Sequence, residues 1–364
     1  MKINGKHWRT IWADEEGSAF HVIDQTKLPF VFETLKIASL ADAAKAITDM
    51  IVRGAPLIGA TAAYGIAVAM RKSASDRSLK SAIGILSRTR PTAVNLRWAL
   101  NRMEARLAPL SDNSRADIAW EEAQLICDED VEISRAIGEH GKALIETAAR
   151  ETGTRVNILT HCNAGWLATV DFGTALAPVY LAHDAGIDIH VWVDETRPRN
   201  QGASLSAYEL GAHGVPHTVI ADNAGGHLMQ HGKVDLCITG TDRVAANGDT
   251  ANKIGTYLKA LAAHDNGVPF YVALPSTTID WTIDNGLRDI PIEERGQEEV
   301  THMTGVATGG AIETIRITAP GSSTANPAFD VTPARLITAF ITERGIASAS
   351  QDGLASLFEE GTAR

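Results

Sequence analysis

The 364-residue chain is short of cysteine, of positive charge and of long apolar runs, and each shortage removes a class of protein. Three cysteines, Cys127, Cys162 and Cys237, are too few and too widely spaced for a disulfide framework, which points to a reducing, cytoplasmic setting. Lys and Arg number 33 against 44 Asp and Glu, a formal charge of −11, so the counterion release that drives nucleic-acid binding has the wrong overall sign. No run of five or six like charges, no basic block beside an apolar helix and no alternation of aromatic with basic residues offsets this, so no nucleic acid and no membrane surface is expected as a partner. The opening MKINGKHWRTIW has no apolar secretory stretch. The longest uncharged stretch, Gly54 to Met70, is shorter than the ~20 residues that span a bilayer, and its Gly, Ala and Thr content predicts a buried helix.

With 45% hydrophobic and 21% charged residues, the composition is that of a water-soluble globular protein long enough for two domains without staples. Up to about Phe32 the chain is aromatic and β-branched with turn residues between, which predicts small strands and hairpins. Residues 39–50, 56–72, 78–88, 91–108 and 114–150 carry apolar residues at three- and four-residue spacing, with Ser39, Ser78 and Ser114 placed as N-caps. Near Glu151 the pattern changes to the short apolar runs 156–160, 187–193, 217–221, 235–240 and 269–275, alternating with helical stretches at 165–184, 203–212, 224–231 and 251–266. The expected fold is α/β: a small, mostly helical N-terminal domain with short strands (1–150), then a Rossmann-like parallel-sheet domain (151–364). The tail from Ser348 is small and polar and is expected to be mobile.

In open parallel sheets ligands sit beyond the carboxyl ends of the strands, which directs attention to HCNAG, DETRPRNQG, DNAGG and TDRVAANGD. None of these strand ends supplies the dinucleotide fingerprint, so NAD is not expected. The GHLMQHGKV run misspaces its glycines for a phosphate loop, and GASLS lacks the last glycine of a nucleophile elbow. His227 and His231 would share a helix face but lack a third ligand, so no metal is expected and they read as a solvated face.

What remains is a set of cationic and polar residues on glycine-rich turns. Arg53-Gly54-Ala55-Pro56 precedes a helix of small residues, where an arginine fork and free amides suit a phosphate. Arg90-Pro91-Thr92 is expected to open a second helix, and Asn252-Lys253 a third. Cys162 follows a strand directly, on a turn where helix-start amides would stabilise a thiolate, while Cys127 and Cys237 read as core residues. Asp242 sits at another strand end, where it reads equally as a helix cap or ion-pair partner of Arg243 and as an acid. A thiol, a carboxyl and several phosphate-holding groups together suggest acid/base work on a sugar phosphate.

The stretches RGAPLIG (53–59), THCNAGWLAT (160–169), DETRPRNQGASLSAYEL (194–210), DNAGGHLMQHGKVD (222–235), TDRVAANGDTANKIGTYLKALAA (241–263) and NPAFDVTP (326–333) closely resemble the methylthioribose-1-phosphate isomerase family. The likeness runs from about Val22 to Gly345. It implies a cofactor-free homodimer that converts 5-methylthio-ribose 1-phosphate to 5-methylthio-ribulose 1-phosphate in L-methionine salvage. It also implies substrate contacts at Arg53, Gly54, Ala55, Arg90, Gln201, Asn252 and Lys253, an acid at Asp242 and a catalytic cysteine at Cys162.

The chemistry explains these residue types. A phosphate on the anomeric oxygen locks the sugar in its ring, so the ring oxygen must be protonated to open it, and Asp242 would supply that proton from an apolar-walled site. Hydrogen then moves from C2 to C1. If it moves as a proton, Cys162 as thiolate takes it; if as a hydride, Cys162 stabilises charge or positions the substrate. Two alternatives share the residue set: an isomerase of 5-deoxyribose 1-phosphate or ribose 1,5-bisphosphate, and a noncatalytic sugar-phosphate-binding protein resembling the regulatory subunits of eukaryotic translation initiation factor two B.

Overall fold

The computed structural model describes residues 1–3, 5–90 and 93–358. A hairpin (Lys2–Ile3, Lys6–His7) and a three-stranded antiparallel sheet (Ile11–Ala13, Phe20–Ile23, Thr34–Ile37) lead into five helices. These are α1 (Leu40–Thr48), α2 (Ala55–Lys72), α3 (Asp76–Ser87), α4 (Val94–Leu107) and α5 (Asp112–Thr152). Helix α2 is the hub. Its small and apolar residues are buried almost all round from Leu57 to Val68, so α1, α3, α4 and α5 pack about it, as an all-round apolar helix requires. The caps lie one turn earlier than the sequence reading placed them: Ser75 accepts from the Ser78 amide, and Ser111 rather than Ser114 precedes α5, while Ser39 caps α1 as expected. The Arg90-Pro91-Thr92 start does not hold for Arg90, because α4 begins at Val94; Pro91 and Thr92 lie outside the described residues.

From Val156 onward the chain builds a seven-stranded sheet. Its spatial order is Gly345–Ala347, Ala339–Thr342, Phe270–Ala273, Leu236–Thr239, Val156–Thr160, Ile189–Asp194, His217–Ile220. All neighbours are parallel except the Gly345–Ala347 edge. Helix α5 with α6 (Ala177–Asp184) and α7 (Ala207–His213) covers one face around Ile158, Val179, Val191 and Leu210. Helices α8 (Ala224–Gln230) and α9 (Thr256–Asp265) cover the other around Leu159, Met229, Ala260 and Val272, so the central strands are buried on both faces and read as continuous apolar runs. No helix among the described residues is long and apolar enough to cross a membrane.

Three expectations need correction. The 165–184 stretch is not one helix: a single 3-10 turn (Trp166–Ala168) and a loop precede α6, which starts where Pro178 fits its first turn. The 251–266 stretch splits into a strand, Thr250–Lys253, and α9. That strand belongs to a separate four-stranded sheet, with Arg243–Ala245, Ile279–Asp280 and Phe329–Thr332. Asn252 and Lys253 therefore sit on a strand and not at a helix start. Finally, Ser350 caps a helix over Gln351–Leu357 that buries Leu354 and leads to the buried Phe358, so residues 348–358 are packed; 359–364 lie outside the described residues.

Candidate active site

The chain enters the large sheet at Val156–Thr160, builds outward on one side to His217–Ile220, then returns to the opposite side at Leu236–Thr239. Strand order thus reverses between Val156–Thr160 and Leu236–Thr239, and the crevice at their carboxyl ends is where such sheets take ligands. Cys162 follows the first of these strands and Asp242 the second. Both face one cavity, together with Arg53, Gly54 and Ala55 from the start of α2, Arg90, Gln201 and Lys253. Its remaining wall is largely apolar: Met50, Ile58, Ala93, Ala251, Ile290, Pro291 and Phe329, with Arg243. Asn252 is not in this wall. Ala251 and Lys253 face the cavity, so strand alternation turns Asn252 away, and its amide donates to Thr256 Oγ1 (3.0 Å).

Arg53 and Lys253 are held by neutral partners, whereas Arg90 and Arg243 each face a carboxylate. Arg53 forks onto Asn163, one Nη donating to the side-chain oxygen and the other to the backbone carbonyl (2.8 Å). Lys253 Nζ donates to the Ala328 carbonyl (3.0 Å) and lies 4.5 Å from the Phe329 ring centre; burial pulls its pKa below the usual lysine range, against the raising pull of Cys162 and Asp242. Arg90 faces Glu293 at 3.6 Å, and burial lowers it as well. Arg90 Nε and Gln201 Oε1 are buried without a hydrogen-bond partner, as groups that await a polar ligand are. Gly54 is required at the mouth of α2. Its φ is 96°, and a Cβ there would stand 2.4 Å from the Ala168 carbonyl, so only glycine lets the helix start close on the 166–168 turn.

Cys162 is the strained element. It takes φ 67°, in the left-handed region, although it carries a side chain. Its amide donates to Thr196 Oγ1 (2.8 Å), the Thr196 hydroxyl donates to the Asp194 carbonyl (3.0 Å), and Ser206 donates to the Cys162 carbonyl (2.8 Å). Thr196 is itself at φ 65°, a rare conformation for a β-branched residue. No helix begins at the thiol, and burial pushes the Cys162 thiol up, outweighing Arg53 and Lys253. The expected thiolate therefore gives way to a thiol in the free protein. Nothing in the sequence signalled Thr196, Ser206 or Asn163 individually; they become visible only when the three loops meet.

His161 Nδ1 lies 2.8 Å from Asp194 and 4.0 Å from Asp222, the one group of described residues with metal-ligand proximity. Asp194 is already met by the Lys259 ammonium at 3.2 Å, and Asp222 accepts from the Thr196 and Arg197 amides, so a protein cation occupies the place an ion would take. The cavity opens past Met50, Arg53 and Gln201 into a wider groove lined by Phe30, Leu205, Ser204, Arg199, Met303 and Ile312 among others. His227 on α8 and His231 just past its end lie with their rings tilted at 45°, 4.2 Å between centres, away from the cavity.

A model of the initiation factor 2 subunit family matches residues 51–349. A methylthioribose-1-phosphate isomerase of Methylorubrum extorquens is 64% identical over 361 residues, covering 99% of each chain, and one of Sinorhizobium medicae is 60% identical over 362 residues, covering 99% of this chain and all of that one. Among solved structures, 5-methylthioribose 1-phosphate isomerase from Pyrococcus horikoshii OT3 superposes with a TM-score of 0.83 at 42% identity, covering 98% of this chain and 97% of that one. The translation initiation factor eIF-2B subunit delta from A. fulgidus gives 0.79 at 37% identity, covering 96% and 99%.

Proposed function

The chain belongs to the initiation factor 2 subunit family, and from that membership and the cavity we propose that it is an aldose–ketose isomerase converting 5-methylthio-ribose 1-phosphate to 5-methylthio-ribulose 1-phosphate in methionine salvage. The observation that carries this reading is the convergence of Cys162 and Asp242, from two different strand ends, on a largely apolar-walled cavity that also holds four cationic side chains, Arg53, Arg90, Arg243 and Lys253. Arg53 and Lys253, with the α2 amides at Gly54 and Ala55, grip the phosphate; Arg90 and Gln201 offer the polar atoms that lack partners. Asn252 acts by fixing the strand that carries Lys253.

Asp242 delivers a proton to the ring oxygen, the ring C–O bond breaks, hydrogen passes from C2 to C1, and the C2 hydroxyl proton passes back to the Asp242 carboxylate as C2 becomes the ketone. The apolar wall of Ile58, Ala251, Ile290 and Phe329 excludes water from the reacting centre. With burial holding Cys162 as a thiol, the free enzyme offers the substrate a hydrogen-bond donor there, suited to bracing C2 chemistry. The same reading includes a domain division at 150/151, a Rossmann-like second domain, a homodimer and a cytoplasmic location.

The test is ketose formation followed by NMR in deuterated water, with no added cofactor or metal. The wild type is expected to turn over 5-methylthio-ribose 1-phosphate, and Cys162→Ala and Asp242→Asn to bind it with almost no ketose. Deuterium at C1 would make Cys162 a base in a proton-transfer route. Turnover only of 5-deoxyribose 1-phosphate or ribose 1,5-bisphosphate would replace the substrate and keep the chemistry, and binding without turnover of any of them would refute the enzyme.

A further inference from the structure

Behind Arg53 lies a carboxyl that the reaction does not touch. Glu209, on α7, is fully buried. One of its oxygens accepts from Asn163 Nδ2 and the other from the Leu167 amide (3.3 Å). The same Asn163 presents its side-chain oxygen and backbone carbonyl to the Arg53 fork, so the amide has a single usable orientation: nitrogen to Glu209, oxygen to Arg53. Space has been cleared for this carboxyl, since a Cβ at residue 165 would stand 1.9 Å from Glu209 Oε1, and Gly165 alone avoids that collision.

We propose that Glu209 is a positioning residue that sets the phosphate-gripping geometry of Arg53 through Asn163. The inference rests on the reading of Arg53 as a phosphate ligand. Without an acceptor at 209, Asn163 is free to rotate toward Ser206, which already lies 3.1 Å from its nitrogen, and the arginine fork loses its side-chain half. Burial raises the Glu209 carboxyl to about 7, although Asn163, the Leu167 amide and Arg53 pull it back. Near neutrality the side chain is thus partly protonated, and a glutamine, its neutral isostere, supplies the same acceptor to Asn163. The other titratable groups that feel Glu209 are the Tyr180 hydroxyl, which burial and this carboxyl push far up, and the Met1 amine.

The test compares Glu209→Leu, Glu209→Gln and Arg53→Ala, singly and combined, by steady-state kinetics on 5-methylthio-ribose 1-phosphate and by calorimetric binding of inorganic phosphate. Glu209→Leu is expected to raise KM about tenfold with kcat within about threefold, and to weaken phosphate binding by a similar factor. Glu209→Gln should restore both to within about threefold. In the Arg53→Ala background, Glu209→Leu should change phosphate affinity less than twofold, a non-additivity that general loosening of the fold would not produce. Unchanged KM and phosphate affinity in Glu209→Leu, or additive effects with Arg53→Ala, would overturn the proposal. If Glu209→Leu does not fold, Asn163→Ala cuts the same link, and unchanged phosphate affinity there overturns it equally. A wild type that binds phosphate through Arg53 but makes no ketose would refute the isomerase reading and leave the phosphate arm to decide the role of Glu209; a wild type that binds neither ligand overturns both.

Discussion

Lys253→Met separates binding from stability, because the free protein carries this cation at a cost. Lys253 is 8% exposed, and no carboxylate lies within 4 Å of its ammonium among the described residues; its contacts are the Ala328 carbonyl and the Phe329 ring. Desolvating an ammonium costs several kcal/mol, while a charge-assisted hydrogen bond returns about 2 and a cation–π contact about 1. The balance is a net cost of about 1–2 kcal/mol. Methionine keeps the unbranched apolar stem, and the Ala328 carbonyl retains the Ile254 amide as donor (3.0 Å), so the substitution leaves no orphan. Lys253→Met should therefore raise the melting temperature by about 3 °C at pH 7, while kcat/KM falls at least about 100-fold from loss of a buried charge on the phosphate. The sign of the pH dependence follows. The folded lysine has a pKa below its unfolded value of 10.5, so wherever it is charged the folded state bears the penalty. As pH rises past the folded value, the folded state sheds its proton first, the penalty fades, and the advantage of methionine shrinks until it is gone above 10.5. Thermal unfolding from pH 7 to 10.5, beside a ketose assay, checks both halves. A variant that is less stable than the wild type at pH 7 and fully active would refute the reasoning.

Two further outcomes follow from the loops around the site. Thr196→Val keeps the β-branched shape but strips the hydroxyl that accepts from Cys162 and donates to Asp194, leaving a buried amide unpaired. It should lose about 2 kcal/mol of stability in a denaturant melt and most of its activity, whereas Thr196→Ser should stay close to wild type. Burial would raise Glu299, but hydrogen bonds from Arg295, Arg199 and Asn326 outweigh it and hold the carboxyl at about 2, against an ordinary 4.5. Its contribution is present above pH 4.5 and is lost as pH falls toward 2. Glu299→Gln should then cost about 2–3 kcal/mol at pH 7 and flatten the acid limb of a stability–pH curve, which equilibrium urea unfolding would show.

Local pattern was sufficient where one residue period ran long enough to override everything else. The uncharged stretch Gly54 to Met70 read as a buried helix, and the apolar runs at 156–160 and 235–240 as buried strands; the helix forms over Ala55–Lys72 and the strands over Val156–Thr160 and Leu236–Thr239. Because loops at strand ends face the crevice of such a sheet, Cys162 and Asp242 were legible as candidate site residues from the pattern and from the family resemblance, and both line the cavity there. The failures share one cause. Thr250–Lys253 has no apolar period of its own, and its strand exists because Phe329–Thr332, some 80 residues on, pairs with it. The 165–184 stretch was apolar enough for a helix, yet Gly165 and Gly173 bridge across a turn and delay α6. The small, polar Ser348–Ser350 hid a helix that is stable only because Leu354 and Phe358 find the sheet's core.

The sequence by itself therefore determined the alternation of elements, the sheet that follows from it and the loops on which the chemistry stands, since these depend on side-chain period and on turn residues within a few positions. Tertiary structure alone decided the conformation and charge of the working groups. The φ of Cys162 is set by a hydroxyl 34 residues away, its protonated state by burial, and the orientation of Arg53 by an asparagine 110 residues away. Such properties depend on the field and the contacts at a point in space, which no local stretch of the chain specifies.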